Sequence, residues 1–90
     1  MLFELGRVIA TPDALEALQD NNLSVTELLD RHASGDWGNL TDDDKLENDR
    51  SVLNGWRILS SYILNKSGEK VWIITETDRA STCLLLPEEY

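Results

Sequence analysis

Trp56-Arg57-Ile58-Leu59-Ser60-Ser61-Tyr62-Ile63-Leu64, then Asn65-Lys66-Ser67-Gly68-Glu69, then Lys70-Val71-Trp72-Ile73-Ile74-Thr75-Glu76-Thr77: this stretch decides the fold. Its side chains alternate with a period of two, the signature of a strand. Trp56, Ile58, Ser60, Tyr62 and Leu64 fall on one face; Arg57, Leu59, Ser61, Ile63 and Asn65 fall on the other. The Asn-Lys-Ser-Gly-Glu segment is turn chemistry between two such runs, which predicts a hairpin. In the second run Val71, Ile73 and Thr75 oppose Trp72 and Ile74. Asp78-Arg79-Ala80 reads as another turn. Ser81 to Leu86 is a third strand, stopped by Pro87, which has no N–H to give a ladder. Both faces of this β-meander (56–87) carry apolar side chains. One face therefore lies under helices, and the other is expected to be partly covered by the N-terminal segment or by a second copy of the chain.

Upstream of Trp56 the grammar is helical. Thr11-Pro12-Asp13 begins a helix, with Thr11 as cap, Pro12 in the first turn and Asp13 at the positive helix end. Ala14, Leu15, Ala17 and Leu18 form its apolar stripe. Ser24 and Glu27 have the spacing of a capping box, and Leu23 and Leu28 that of a hydrophobic staple. Val25, Leu28, Leu29 and His32 share one face of this second helix, and Gly35 closes it. Thr41 caps a third helix opening with Asp42-Asp43-Asp44, with Leu46, Val52 and Leu53 as its expected apolar contacts, and Asn54-Gly55 ends it. Residues 2–10 read as a short strand. The expected architecture is α+β in a single domain spanning 1–90: a helical acidic part (11–55) packed as three helices on a C-terminal antiparallel three-stranded sheet, with the N-terminal strand as an added edge.

Charge narrows the function classes. The chain has 8 Lys+Arg against 17 Asp+Glu, a net −9. Phosphate neutralisation needs a basic face, so direct nucleic-acid binding is disfavoured, as is docking on an anionic membrane. The acids are concentrated: Asp13 to Asp49 holds eleven of them with only Arg31 and Lys45 as bases, and so carries the whole net charge. One Cys and one His exclude a disulfide framework and the common multi-residue metal sites. No phosphate-binding loop or dinucleotide fingerprint is present, and no cofactor is expected. The N-terminus has neither the basic region nor the apolar core of a signal peptide, and the expected location is a reducing cytoplasm.

The candidate sites are few. The acids Asp42, Asp43, Asp44, Glu47 and Asp49 form a negative surface suited to a basic protein partner, in the way carboxylates can imitate a phosphate array; the plainer reading is a solvated helix face. They do not suit a cation, because adjacent helical residues diverge by about 100° and cannot converge on one point. Trp37, between two glycines, is either an exposed anchor for that partner or a plug in the core. A second, polar cluster is available from His32, Asp36, Glu76, Asp78 and Arg79. It would serve a small enzyme or ligand-binding domain if the five converge. Otherwise His32 packs at the edge of the apolar face and donates to a nearby acid or carbonyl, and the others serve turns and a surface ion pair. No nucleophile with activating context accompanies them, so no catalytic residue is assigned. Cys83 reads as a structural strand residue.

Several strings of this chain are distinctive. They are Leu5-Gly6-Arg7-Val8-Ile9-Ala10-Thr11-Pro12-Asp13-Ala14-Leu15-Glu16-Ala17-Leu18, Arg31-His32-Ala33-Ser34-Gly35-Asp36-Trp37-Gly38-Asn39-Leu40, Leu59-Ser60-Ser61-Tyr62, and Val71-Trp72-Ile73-Ile74-Thr75-Glu76-Thr77-Asp78-Arg79-Ala80-Ser81-Thr82 with Leu84-Leu85-Leu86-Pro87-Glu88-Glu89-Tyr90. In these the chain resembles a family of small acidic bacterial proteins of plasmids and integrating elements, the "plasmid-related" proteins. Those relatives often carry Thr-Thr where Thr82-Cys83 stands, which implies that Cys83 carries no required activity. The resemblance implies a mobile-element setting, in which small acidic proteins often block host nucleic-acid-binding defences; it supplies no catalytic residues. Together with the charge map it leads to the expectation of a non-enzymatic protein that binds a basic, nucleic-acid-handling partner through its acidic helices. The alternatives are the small polar site just named and a homodimeric structural module.

Overall fold

The computed structural model describes all residues, Met1–Tyr90. Strand β1 (Arg7–Ala10) leads into helices α1 (Pro12–Asp20), α2 (Val25–Ala33) and α3 (Asp42–Asn54). Strands β2 (Ile58–Ile63), β3 (Lys70–Thr75) and β4 (Ser81–Leu85) follow, and a 3-10 turn over Pro87–Glu89 closes the chain. The fold is α+β, and the sheet has four strands in the order β1-β4-β3-β2. The meander β2-β3-β4 is antiparallel, while β1 joins β4 in parallel, Ile9 beside Cys83 and Ala10 beside Leu84.

The caps sit where the local chemistry places them. Thr11, Ser24 and Thr41 each accept an N–H from three residues on, at 3.1, 3.1 and 3.2 Å. Gly55 ends α3 in the left-handed conformation. Ala14, Leu18, Leu28, Tyr62, Val71, Ile73 and Leu84 form the main core between the helices and the sheet. A smaller cluster of Phe3, Trp37 and Ile58 lies beside it.

Three expectations need correction. First, Leu46 and Leu53 are exposed rather than core-facing. Of the three expected contacts only Val52 packs inward, against the Phe3, Trp37 and Ile58 cluster; α3 otherwise lies along the β2 edge, which it meets through the buried Asn48. Second, the sheet face away from the helices is partly covered by the C-terminal residues, not by the N-terminal segment. Tyr90 folds back so that its ring meets Trp72 at 5.7 Å between centroids, and the Arg57 guanidinium lies over the Tyr90 ring at 5.3 Å. Third, the N-terminal strand covers only Arg7–Ala10 and not residues 2–10: Phe3 inserts on the helix side, edge-on to His32 at 5.2 Å and stacked on Trp37 at 6.1 Å.

The outer edge of β2 is sealed by side chains and loop. The Asn48 carboxamide donates to the Leu59 carbonyl (2.7 Å) and accepts the Leu59 N–H (3.2 Å). The Ser61 N–H donates to the Trp37 carbonyl (3.1 Å), and the Asn39 N–H to the Ser61 carbonyl (2.6 Å). Asn39 Oδ1 takes the Ile63 N–H at 2.9 Å. This requires glycine at position 38: its φ is +79°, and a Cβ there would overlap the Ser61 carbonyl and the Tyr62 ring.

Candidate functional site

The acids of α3 divide by what they touch. Asp42, Asp43 and Asp44 are exposed in the first turn, where the unsatisfied N–H groups of the helix favour negative charge. Asp44, Glu47, Asn48 and Ser51 follow i, i+3, i+4, i+7 spacing, and this polar stripe is the one turned toward β2. Asp44 and Glu47 therefore border a cleft of about 310 Å³ whose remaining lining is Leu40, Asn48, Arg57 and Leu59. Glu47 also pairs with Arg50 at 3.5 Å, an exposed contact of little energetic weight. Asp49 has a different role: its Oδ1 accepts the indole N–H of Trp37 at 3.0 Å.

Trp37 itself is only 3% exposed, which removes it as an exposed anchor. It plugs the space between α3 and the Phe3 ring, and its polar atom is satisfied by Asp49. The acidic face left for a partner is thus Asp42, Asp43 and Asp44, with Glu47, which also pairs with Arg50, beside Asp44 at the cleft. With two carboxylates, Asp44 and Glu47, against the one Arg57 guanidinium, the cleft is net negative and suits a group with an aliphatic stem and a cationic end, as Lys and Arg have.

The residues of the polar cluster have separate employments. His32 is fully buried rather than at the edge of the apolar face, and its partners are hydroxyls rather than an acid or carbonyl. Nδ1 meets Ser60 Oγ at 2.5 Å and Nε2 meets Thr75 Oγ1 at 2.9 Å. Thr75 Oγ1 lies 2.7 Å from Thr82 Oγ1, and the Thr82 hydroxyl donates to the Leu5 carbonyl at 2.7 Å. A hydroxyl has one proton, which fixes the direction of the chain. Thr82 gives its proton to Leu5, so Thr75 gives to Thr82 and accepts from Nε2–H. Nδ1 is then unprotonated and accepts from Ser60. His32 is held neutral in the Nε2–H tautomer, and burial pushes its pKa down to about 4.

Asp36 lies in the loop after α2 and is bound by Arg31, Nε to Oδ2 at 2.6 Å. The Arg31 hydrogen bond holds the Asp36 carboxyl below its usual range and the Arg31 guanidinium above its own. Asp36 also offers its carbonyl to the Tyr62 hydroxyl (2.7 Å), whose pKa burial pushes up to about 12.

Arg79 makes no ion pair. It donates to the carbonyls of Trp56 (2.7 Å), Glu76 (3.0 Å) and Ser51 (2.9 Å), and its guanidinium stands over the Phe3 ring at 5.6 Å. It is a clamp joining the end of α3 to the β3–β4 turn. Asp78 accepts the Ala80 N–H within that turn at 2.9 Å. Glu76 contributes its main chain to the turn, taking the Arg79 N–H at 2.9 Å. His32 and Arg79 are separated by the Phe3 ring, and the five residues do not form one site.

No side-chain cluster of three or more His, Cys, Asp or Glu is placed to hold a metal ion. No helix is long and apolar enough to cross a membrane. Comparisons with protein-family models, curated proteins and solved structures give no match.

Proposed function

We propose that this chain is a non-enzymatic interaction protein that binds a basic protein partner through the acidic side of α3. The observation that carries the reading is the exposed acidic first turn, Asp42, Asp43 and Asp44, continued by Asp44 and Glu47 into the cleft lined also by Leu40, Leu59 and Arg57. None of Asp42, Asp43 or Asp44 is engaged in an ion pair within the chain. A Lys or Arg from the partner can lay its stem on the leucines and its charge beside Asp44 and Glu47. Negative charge spread along α3 speeds encounter with a basic surface and weakens with salt. The resemblance to plasmid-borne acidic proteins supports a nucleic-acid-handling partner, which a carboxylate array would occupy in place of phosphate.

The test is capture from nuclease-treated host lysate by the wild-type chain and by an Asp42→Lys, Asp43→Lys, Asp44→Lys variant whose folding is checked by circular dichroism. Basic proteins held by the wild type, lost from the variant and released by salt support the reading. Equal retention by both chains rejects it.

A further inference from the structure

We propose that the open β1 edge pairs antiparallel with β1 of a second copy, joining the two sheets about a two-fold axis through Ile9. The two edges of the sheet differ. Whereas β2 is sealed by Asn48, Asn39 and the Trp37 carbonyl, β1 is covered by nothing along its outer side, and Val8 and Ile9 are 41% and 46% exposed.

Strand geometry fixes which groups are free. The N–H groups of Arg7 and Thr11 donate inward to Ala80 and Leu84 of the β4 side. Main-chain groups alternate along a strand, so Val8 and Ala10 turn both N–H and C=O outward. A perpendicular two-fold preserves the faces of the sheet, so each residue must meet one of like face. With Ile9 opposite its own mate, Val8 pairs with Ala10 of the second copy and exchanges both main-chain hydrogen bonds, and the symmetric pair repeats this. Centring on Val8 instead would bring Ala10 against Gly6, whose φ of +64° has already left the strand.

Charge complementarity favours a second copy as the occupant. In the Ile9-centred register Arg7 stands opposite Thr11 of the other chain. The Thr11 hydroxyl donates to Glu89 Oε1 at 2.8 Å, so each Arg7 faces a Glu89 carboxylate across the axis. Arg7 makes no ion pair within its own chain. The edge is thus its own complement: cation to anion at both ends and isoleucine to isoleucine at the centre, the isologous arrangement of a closed dimer.

The experiment is light scattering after size-exclusion chromatography over a concentration series, for the wild-type chain and Val8→Pro. Proline removes an N–H that the single chain does not use. The wild type should rise to twice the chain mass, and Val8→Pro should stay monomeric. Should Val8→Pro fail to fold, a second measurement decides. Ile9→Cys in a Cys83→Ser background places two cysteines opposite each other at the non-hydrogen-bonded position, with Cα atoms about 4.5 Å apart, and should oxidise to a covalent dimer. A wild-type monomer at every concentration, a dimer unaffected by Val8→Pro, or no crosslink through Ile9→Cys overturns the proposal.

Discussion

The side chain of Asn48 copies a strand: its carboxamide gives one hydrogen bond to the main chain of Leu59 and takes another from it. Asparagine supplies a donor and an acceptor at adjacent atoms, as a peptide group does. Replacing it with Ala leaves a half-buried carbonyl and N–H without partners. Asn48→Ala should lower the unfolding free energy by about 2 kcal/mol in urea titration. Asn48→Asp keeps only the acceptor and sets a carboxylate against the Leu59 carbonyl, so it should be at least as damaging.

His32 makes stability depend on pH. Its pKa in the folded chain is about 4, against an ordinary value of 6.5. A depressed folded pKa stabilises above the unfolded value and loses that contribution as pH falls. Stability should decline between pH 6.5 and pH 4, by about 3 kcal/mol from this residue alone. Urea titrations of wild type and His32→Gln across that window measure it; the wild type should show the steeper decline. Nitrogen chemical shifts of the ring at pH 7 should show Nε2 protonated and Nδ1 bare.

Arg79 should matter more than an exposed arginine usually does. Its three carbonyl partners belong to α3, the segment before β2 and the β3–β4 turn. Arg79→Met keeps much of the apolar stem and removes the donors, and should cost roughly 2–3 kcal/mol by chemical unfolding. Arg79→Lys should recover only part of this, because one ammonium cannot reach three carbonyls in the same fork.

The acids at the start of α3 have a helix-stabilising role separate from any partner. Asp42→Asn, Asp43→Asn and Asp44→Asn together should lower stability by roughly 1–2 kcal/mol at low salt, with the difference shrinking at high salt. Thermal unfolding at two ionic strengths reads this directly. The same neutral variant separates loss of charge from misfolding in the partner-capture experiment.

Much of the fold was legible because it is written locally. Thr11, Ser24, Thr41 and Gly55 signal helix ends through neighbours a few residues away, and the hairpin around Asn65–Glu69 lies within one continuous stretch. What escaped depends on distant partners. Ser60 and Thr75 lie 28 and 43 residues from His32, and nothing near His32 in sequence indicates a hydroxyl-lined interior. Helix α3 misled for a related reason. Leu46 and Leu53 look like its inner face, but the loop pairing with β2 at Gly38 and Ser61 leaves the helix beside the sheet edge, where a carboxamide fits better than a leucine. At the candidate site the acidic residues were readable, and the wall supplied by Leu40, Arg57 and Leu59 was not, since it forms only when β2 comes alongside α3.

The unequal treatment of the two sheet edges sets a limit on growth. A sheet with two bare edges can add strands without end, each addition presenting a fresh template, and that is the geometry of a fibre. Here only β1 presents main-chain groups; at β2 Asn48, Asn39 and the Trp37 carbonyl already occupy the places a new strand would take. Strand addition between copies of this chain is therefore terminal after one event, and this protein carries in Asn48 and the Gly38 loop its own stop against polymerisation.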